Sequence, residues 1–102
     1  MVVIRQEFQA TFGQGGPLAK VMVAGISQMM PKMSTPRHWQ LLTDLSGPFD
    51  TVVLEVEAEN LAEWERSRHE LFALPEFSEN LGRSAHLMVS GRSELYTVEA
   101  EG

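Results

Sequence analysis

Arg5, Glu7, His38, Gln40 and Glu55 are the side chains of this chain whose types could do chemistry together. Histidine changes charge near neutral pH and suits proton transfer. A guanidinium holds an anion or a carbonyl and stabilises charge developing on oxygen. His38 is therefore the candidate base and Arg5 the candidate anion or carbonyl contact, with Glu7, Gln40 and Glu55 as further ligand contacts. Arg5 and Glu7 are two residues apart, as are His38 and Gln40, and at that spacing the side chains of a strand share a face.

The surrounding pattern supports strands at these places. From Val2 to Phe12 the residues alternate, with Val2, Ile4, Phe8, Ala10 and Phe12 on one side and Arg5, Glu7, Gln9 and Thr11 on the other; that is the period of a half-buried strand. Arg37 to Leu45 reads as a second strand, with Trp39 and Leu41 facing one way and His38, Gln40, Leu42 and Asp44 the other. Ser46-Gly47-Pro48 is a turn signal, and Phe49 to Ala58 follows as a third strand that completes a hairpin. A last strand is expected from Ser93 to Ala100.

Helical spacing fills the gaps. Leu18, Val21, Met22, Gly25, Ile26 and Met29 recur as a helix face over Pro17 to Met30, which Pro31 ends; Pro31 to Pro36 is a loop. Asn60 with Glu63 three places on has the form of an N-cap and its capping-box partner, opening a helix faced by Leu61, Trp64, Arg68 and Leu71. Leu74-Pro75 interrupts it. Pro75 begins a short third helix carrying Phe77, Leu81, Ser84 and Met88, and Gly91 is its expected terminator. The order β-α-β-β-α-(α)-β, with a right-handed crossover, predicts one α+β domain over residues 1–102: a ferredoxin-like split βαβ with a four-stranded antiparallel sheet and helices on one face.

Several chemistries are excluded or disfavoured by composition. The chain has no cysteine, so disulfides, thiolate metal sites and Cys nucleophiles are absent. None of the three histidines stands at a metal-ligand spacing, and no metal is expected. The Met29-Met30-Pro31-Lys32-Met33 run reads as packing, and Gly13-Gln14-Gly15-Gly16 as a strand-to-helix turn without the Lys-Ser/Thr of a phosphate loop. A net charge of −6 disfavours nucleic acid and anionic membranes as partners. No basic leader precedes a long apolar run, and a cytoplasmic protein is expected.

A sheet with helices on one side leaves its other face bare, and that face should be polar if water covers it. Val3, Leu42, Val53 and Leu95 are expected there instead, an apolar patch that calls for a partner. A symmetric pair packed sheet on sheet satisfies it, and a homodimer is expected.

The stretch Gly47-Pro48-Phe49-Asp50-Thr51-Val52-Val53-Leu54-Glu55, then Leu61-Ala62-Glu63-Trp64-Glu65 and the closing Gly91-Arg92-Ser93-Glu94-Leu95-Tyr96, resembles the dimeric α+β barrel superfamily and within it the short NIPSNAP-like members. The resemblance implies two sheets closing into one barrel. It also implies a range of activities, from cofactor-independent monooxygenases and haem-degrading enzymes to small proteins of no known activity. A haem would take an axial histidine from a helix, with His69 and His86 as the available residues, but neither sits in a recognisable motif and no cofactor is expected. The Asn, Trp and His set of the monooxygenases is not evident, because Asn60 and Asn80 fall at expected helix boundaries. The resulting expectation is a homodimer of unassigned role that binds a small organic molecule in a cavity on the open sheet face. One alternative is a cofactor-independent monooxygenase or isomerase, in which His38 removes a proton and Arg5 stabilises the oxyanion. The other is a structural or regulatory dimer without ligand.

Overall fold

The computed structural model describes every residue of the chain except Pro36, which closes the expected 31–36 loop and lies outside the described residues. Strand β1 (Val2–Ala10) leads to α1 (Gly15–Met29), a 3-10 turn at Met30–Lys32, and the hairpin strands β2 (Trp39–Thr43) and β3 (Thr51–Ala58). Helices α2 (Leu61–Ala73) and α3 (Pro75–Ser84), a second 3-10 turn at Ala85–Leu87 and β4 (Met88–Thr97) complete it. The sheet order is β2-β3-β1-β4, antiparallel throughout, which is the α+β ferredoxin-like arrangement expected.

Side-chain parity in the sheet follows from the register. Ile4 lies opposite Val56 and Leu95, and Arg5 opposite Glu55 and Glu94, so even-numbered residues of β1 face the helices and odd-numbered ones the open side. Ile4, Leu18 and Val52 are fully buried. The central cluster of Ala10, Leu18 and Val52 is enlarged by Phe8, Met22, Leu41 and Met88.

The two central strands match their periodicity, and the edge strands depart from it. β2 is shorter than expected, and the 37–38 segment precedes it. β1 stops at Ala10, so Phe12 is not a core residue but 82% exposed. β4 begins at Met88, which joins the sheet rather than α3. Leu95 takes the helix side opposite Ile4, and Tyr96 holds the open-face place opposite Val3. Gly91 does not end a helix. It pairs with Phe8 inside β4, and a Cβ there would stand 2.9 Å from the Phe8 ring, so the missing side chain makes room for the aromatic one. A bulge at Val89 shifts the register only between Gln9 and Ala10, beyond the residues of the candidate site, so the parity of Arg5 and Glu7 stands.

Local chemistry sets the helix ends. Asn60 Oδ1 accepts from the Glu63 amide at 2.9 Å, and Glu63 Oε2 accepts from the Glu59 amide at 3.2 Å; the capping box forms one residue out of its usual register. Pro75 holds Leu74 in extended backbone and separates α2 from α3. The start of α1 has no cap of its own, and Asp50 supplies one from the β2–β3 connection. Its carboxylate accepts from the Gly13 amide at 2.8 Å and the Gly15 amide at 3.0 Å. A Cβ at Gly15 would lie 2.9 Å from the Asp50 backbone, so the approach needs glycine. The carboxylate thus takes the place where a helix start would attract an anion.

Asp50 itself sits in the left-handed region at φ 62°, which Asn tolerates and Ala does not. Asp50→Ala is expected to lower stability by about 1–2 kcal/mol through the lost cap and the strained backbone. Asp50→Asn keeps an acceptor and should cost less. Urea midpoints of the three proteins check the order.

Candidate functional site

A space of about 360 Å³, partly open to solvent, lies between the sheet and the helices. That falls at the lower end of the ~300–1,000 Å³ of small-molecule sites. Its floor is the helix side of the sheet, from Gln6, Phe8, Leu54 and Val56; α1 contributes Met22, Ile26 and Met29, and the far wall is Trp64, Leu71, Phe77 and Leu81. Met30, Met33 and Met88 also line it, so five of the six methionines of the chain surround one chamber. The helices can stand over this space because α1 and α3 touch at a point of close approach. A Cβ on Gly25 would lie 2.7 Å from the Asn80 side chain.

Few polar groups reach the chamber, and several of them are tied down. Asn80 donates to the Glu76 carbonyl at 2.7 Å, and Ser84 Oγ donates to the Asn80 carbonyl at 3.0 Å. The charged groups of the lining are two arginines, the exposed Arg68, which lies over the Phe72 ring, and Arg37. The Arg37 side chain is only 5% exposed; it forms an ion pair with the equally sequestered Glu63 and donates to Ser67 Oγ at 2.7 Å. Among the described residues, Arg37 Nε has no acceptor and is sealed from water. The segment that carries Arg37 is fastened to α2 and α3 at two further points: Lys32 pairs with Glu76, and Ser34 holds Glu70 through both its amide and its hydroxyl. Those Ser34 bonds, hydroxyl first, draw the Glu70 carboxyl below its ordinary range.

The open face carries a different constellation. Arg5 stands among three carboxylates, Glu94 at 3.3 Å and Glu7 and Glu55 at 3.9 Å each. Arg92 pairs with Glu7 at 2.8 Å and reaches Glu94 at 3.6 Å. Gln40 donates to Glu55 at 2.7 Å, and the Tyr96 hydroxyl to Glu94 at 2.8 Å. The structure therefore brings Arg5, Glu7, Gln40 and Glu55 together on the open side, as their parity predicts. His38 lies just outside β2; its carbonyl accepts from the Glu57 amide, and its side chain is exposed. Asp44 is occupied by the Thr51 amide at 3.0 Å. His69 and His86 are both exposed. Among the described residues no group of three or more acidic or histidine side chains is arranged to hold a metal ion, and no helix is long and apolar enough to cross a membrane.

The arrangement of sheet and paired helices recurs in solved structures. An uncharacterized NIPSNAP domain protein from Burkholderia xenovorans superposes with a TM-score of 0.86 at 17% identity, over 98% of this chain and 96% of that one. The fold is that of the NIPSNAP-domain structures. A NIPSNAP family protein from Agrobacterium tumefaciens gives a TM-score of 0.81 at 12% identity, covering 94% of this chain and 90% of that chain. A candidate antibiotic biosynthesis monooxygenase from Deinococcus radiodurans gives 0.71 at 17% identity, covering 99% and 95%. No family model matches the chain, and no curated protein matches it in sequence.

Arg37, Asn80 and the methionines are the site residues that sequence reasoning missed. Asn80 is not at a helix boundary but inside α3, buried, and it shares the chamber lining with Trp64. Trp64 is accordingly half-buried against a space rather than packed into solid core. The density of unbranched methionines at apolar positions was the available signal.

The open-face network makes the single tyrosine a reporter. Its hydrogen bond to Glu94 holds the Tyr96 hydroxyl above its ordinary value, and the same bond draws the Glu94 carboxyl down, helped by Arg92 and Arg5. The signs follow. Tyr96 contributes stability below its unfolded value that is lost as pH rises through the raised folded one; Glu94 contributes above its unfolded value and loses it as pH falls through the lowered one. In an absorbance titration, phenolate formation is expected at higher pH in the wild type than in Glu94→Gln, and coincident curves would count against the bond.

Proposed function

We propose that this chain binds a small, largely apolar organic molecule in the chamber between its sheet and its helices. The observation that carries the reading is the partly open volume of about 360 Å³ with mainly apolar walls and a few polar groups, the make-up of a small-molecule site. A solid core of this size would gain by filling that space, since unfilled volume costs packing energy. The likeness in fold to a candidate antibiotic biosynthesis monooxygenase is compatible with a reacting ligand. The chamber itself holds no histidine, and His38, the candidate base, is exposed before β2, so binding is the part of the function that the geometry supports. The neutral fluorophore N-phenyl-1-naphthylamine should bind saturably, with its emission enhanced. Leu54→Trp, which places a larger ring in the chamber floor, should weaken that binding tenfold or more while circular dichroism is unchanged. Equal binding by both proteins would place the dye elsewhere and count against the chamber.

We further propose that two copies pair through the open sheet face, with Arg5, Glu7, Gln40 and Glu55 serving that interface rather than a ligand. Val3 and Tyr96 lie opposite one another there, as do Leu42 and Val53, and Leu42 and Tyr96 are 40% and 50% exposed. Between these two apolar ends two arginines are already paired with three carboxylates within the chain, which lowers the cost of covering them. Sedimentation of the 11.4 kDa chain should give twice that mass at micromolar concentration, and Leu42→Lys should shift it toward the monomer. A monomeric wild type would overturn the pairing and leave the chamber untouched.

A further inference from the structure

Exposure locates the mouth of the chamber. Arg68 and Phe72 of α2 and Leu81 of α3 are exposed, whereas the other lining residues are half-buried or buried. Arg68 and Phe72 stand four residues apart, as neighbours on one helix face. The Arg68 guanidinium lies over the Phe72 ring at 5.1 Å, and Phe72 in turn meets Phe77 of α3 at 4.8 Å between ring centroids. Attraction to the ring holds the cation at the rim and neutralises none of its charge. Arg5, Arg37 and Arg92 each pair with a carboxylate, but among the described residues none stands within ion-pair distance of Arg68. No acidic residue lines the chamber, and the charge of Arg37 is answered by Glu63. A mainly apolar opening thus carries an uncompensated positive charge, on a chain whose net charge is −6.

From this we infer, resting on the chamber as the binding site, that its occupant is an amphipathic carboxylate. The apolar body lies between sheet and helices, and the carboxylate stays at the mouth on Arg68. The division follows from solvation. A carboxylate drawn in among apolar walls would lose its hydration without recompense, so the charged end belongs where water still reaches. There a guanidinium offers its N–H groups as a fork that matches the two carboxylate oxygens. Arg37 cannot serve in its place, because its side chain is only 5% exposed and committed to Glu63. An alcohol of the same body fills the same walls and gains no ion pair, and an ammonium meets a like charge at the rim. The field of the whole chain does not favour anions, since a net charge of −6 repels them at a distance. A preference for the carboxylate must therefore be local to Arg68.

Three probes that share one alkyl chain test this: decanoate, 1-decanol and decylammonium. Each is titrated at neutral pH into protein loaded with N-phenyl-1-naphthylamine and followed by loss of the dye's emission. Decanoate is expected to bind about fivefold more tightly than decanol, the scale of one partly exposed ion pair, and decylammonium to be the weakest. Raising NaCl from about 20 mM to about 500 mM should shrink the ratio of decanoate to decanol affinity, because salt screens an exposed pair. Arg68→Gln, a change at an exposed position, should bring decanoate to the affinity of decanol or below it. Arg66→Gln removes the same charge from the same helix outside the chamber lining and should keep the advantage. The salt dependence needs no variant, so the test stands even if Arg68→Gln does not fold. Decanoate binding no tighter than decanol, a ratio insensitive to salt, or an advantage that survives Arg68→Gln would overturn the inference. Equal loss of the advantage in Arg66→Gln would overturn it too, by tracing the preference to general charge. In each of these cases decanol still displaces the dye and the chamber stands as a binding site. If none of the three probes displaces the dye, the chamber reading itself fails, and the inference with it.

Discussion

The ion pair between Arg37 and Glu63 is the contact on which the shape of the helical layer turns. Glu63 belongs to the first turn of α2, where its second oxygen also receives the Glu59 amide. Arg37 belongs to the approach to β2, at the edge of the sheet. Joining them fastens the sheet edge to the start of the helix that covers it, and neither partner could be removed without stranding a charge away from water. With Lys32 on Glu76 and Ser34 on Glu70, the 30–37 segment is held to α2 and α3 by polar contacts along its length. Polar fastening at the rim is what allows the middle to remain open: the helices are supported at their ends, so the apolar residues beneath them need not meet.

The two faces of the sheet handle charge in opposite ways. On the helix side one pair is sequestered and isolated. On the open side Arg5 and Arg92 are shared among Glu7, Glu55 and Glu94 in a network with fractional exposures near a third for most members. Exposed pairs of this kind add little stability singly. Their effect is on the surface they leave, one on which two positive groups are shared among three negative ones, so that little of the chain's net −6 falls there.

The central strands and the second helix were legible because each is specified by a local rule. Ile4 and Val56 alternate with Arg5 and Glu55 in strict period two, and the pairing register then follows. Asn60 and Glu63 announce the start of α2 through a capping box that the structure forms. The edges were harder. β4 has one neighbour, so its residues alternate weakly, and Leu95 and Tyr96 exchanged faces relative to expectation; Gly91 reads as a helix end until Phe8 is seen across from it. The chamber was not legible at all. Apolar residues at helical spacing describe a buried face equally well whether it meets another side chain or a void, and the Arg37–Glu63 contact bridges 25 intervening residues with no pattern to mark it.

The distribution of methionine gives the molecule a built-in set of beacons. Of its six methionines, only Met1 lies away from the chamber; Met22, Met29, Met30, Met33 and Met88 all border it. A spectrum recorded from isotopically labelled methionine methyl groups would therefore be a spectrum of the chamber alone, with the signal of the first residue as an internal reference for the solvent. The five resonances view the space from four places: α1 twice, the turn after it, the segment before β2, and the first residue of β4. The sequence has, in effect, placed magnetic labels around the one part of the fold where an occupant would be felt.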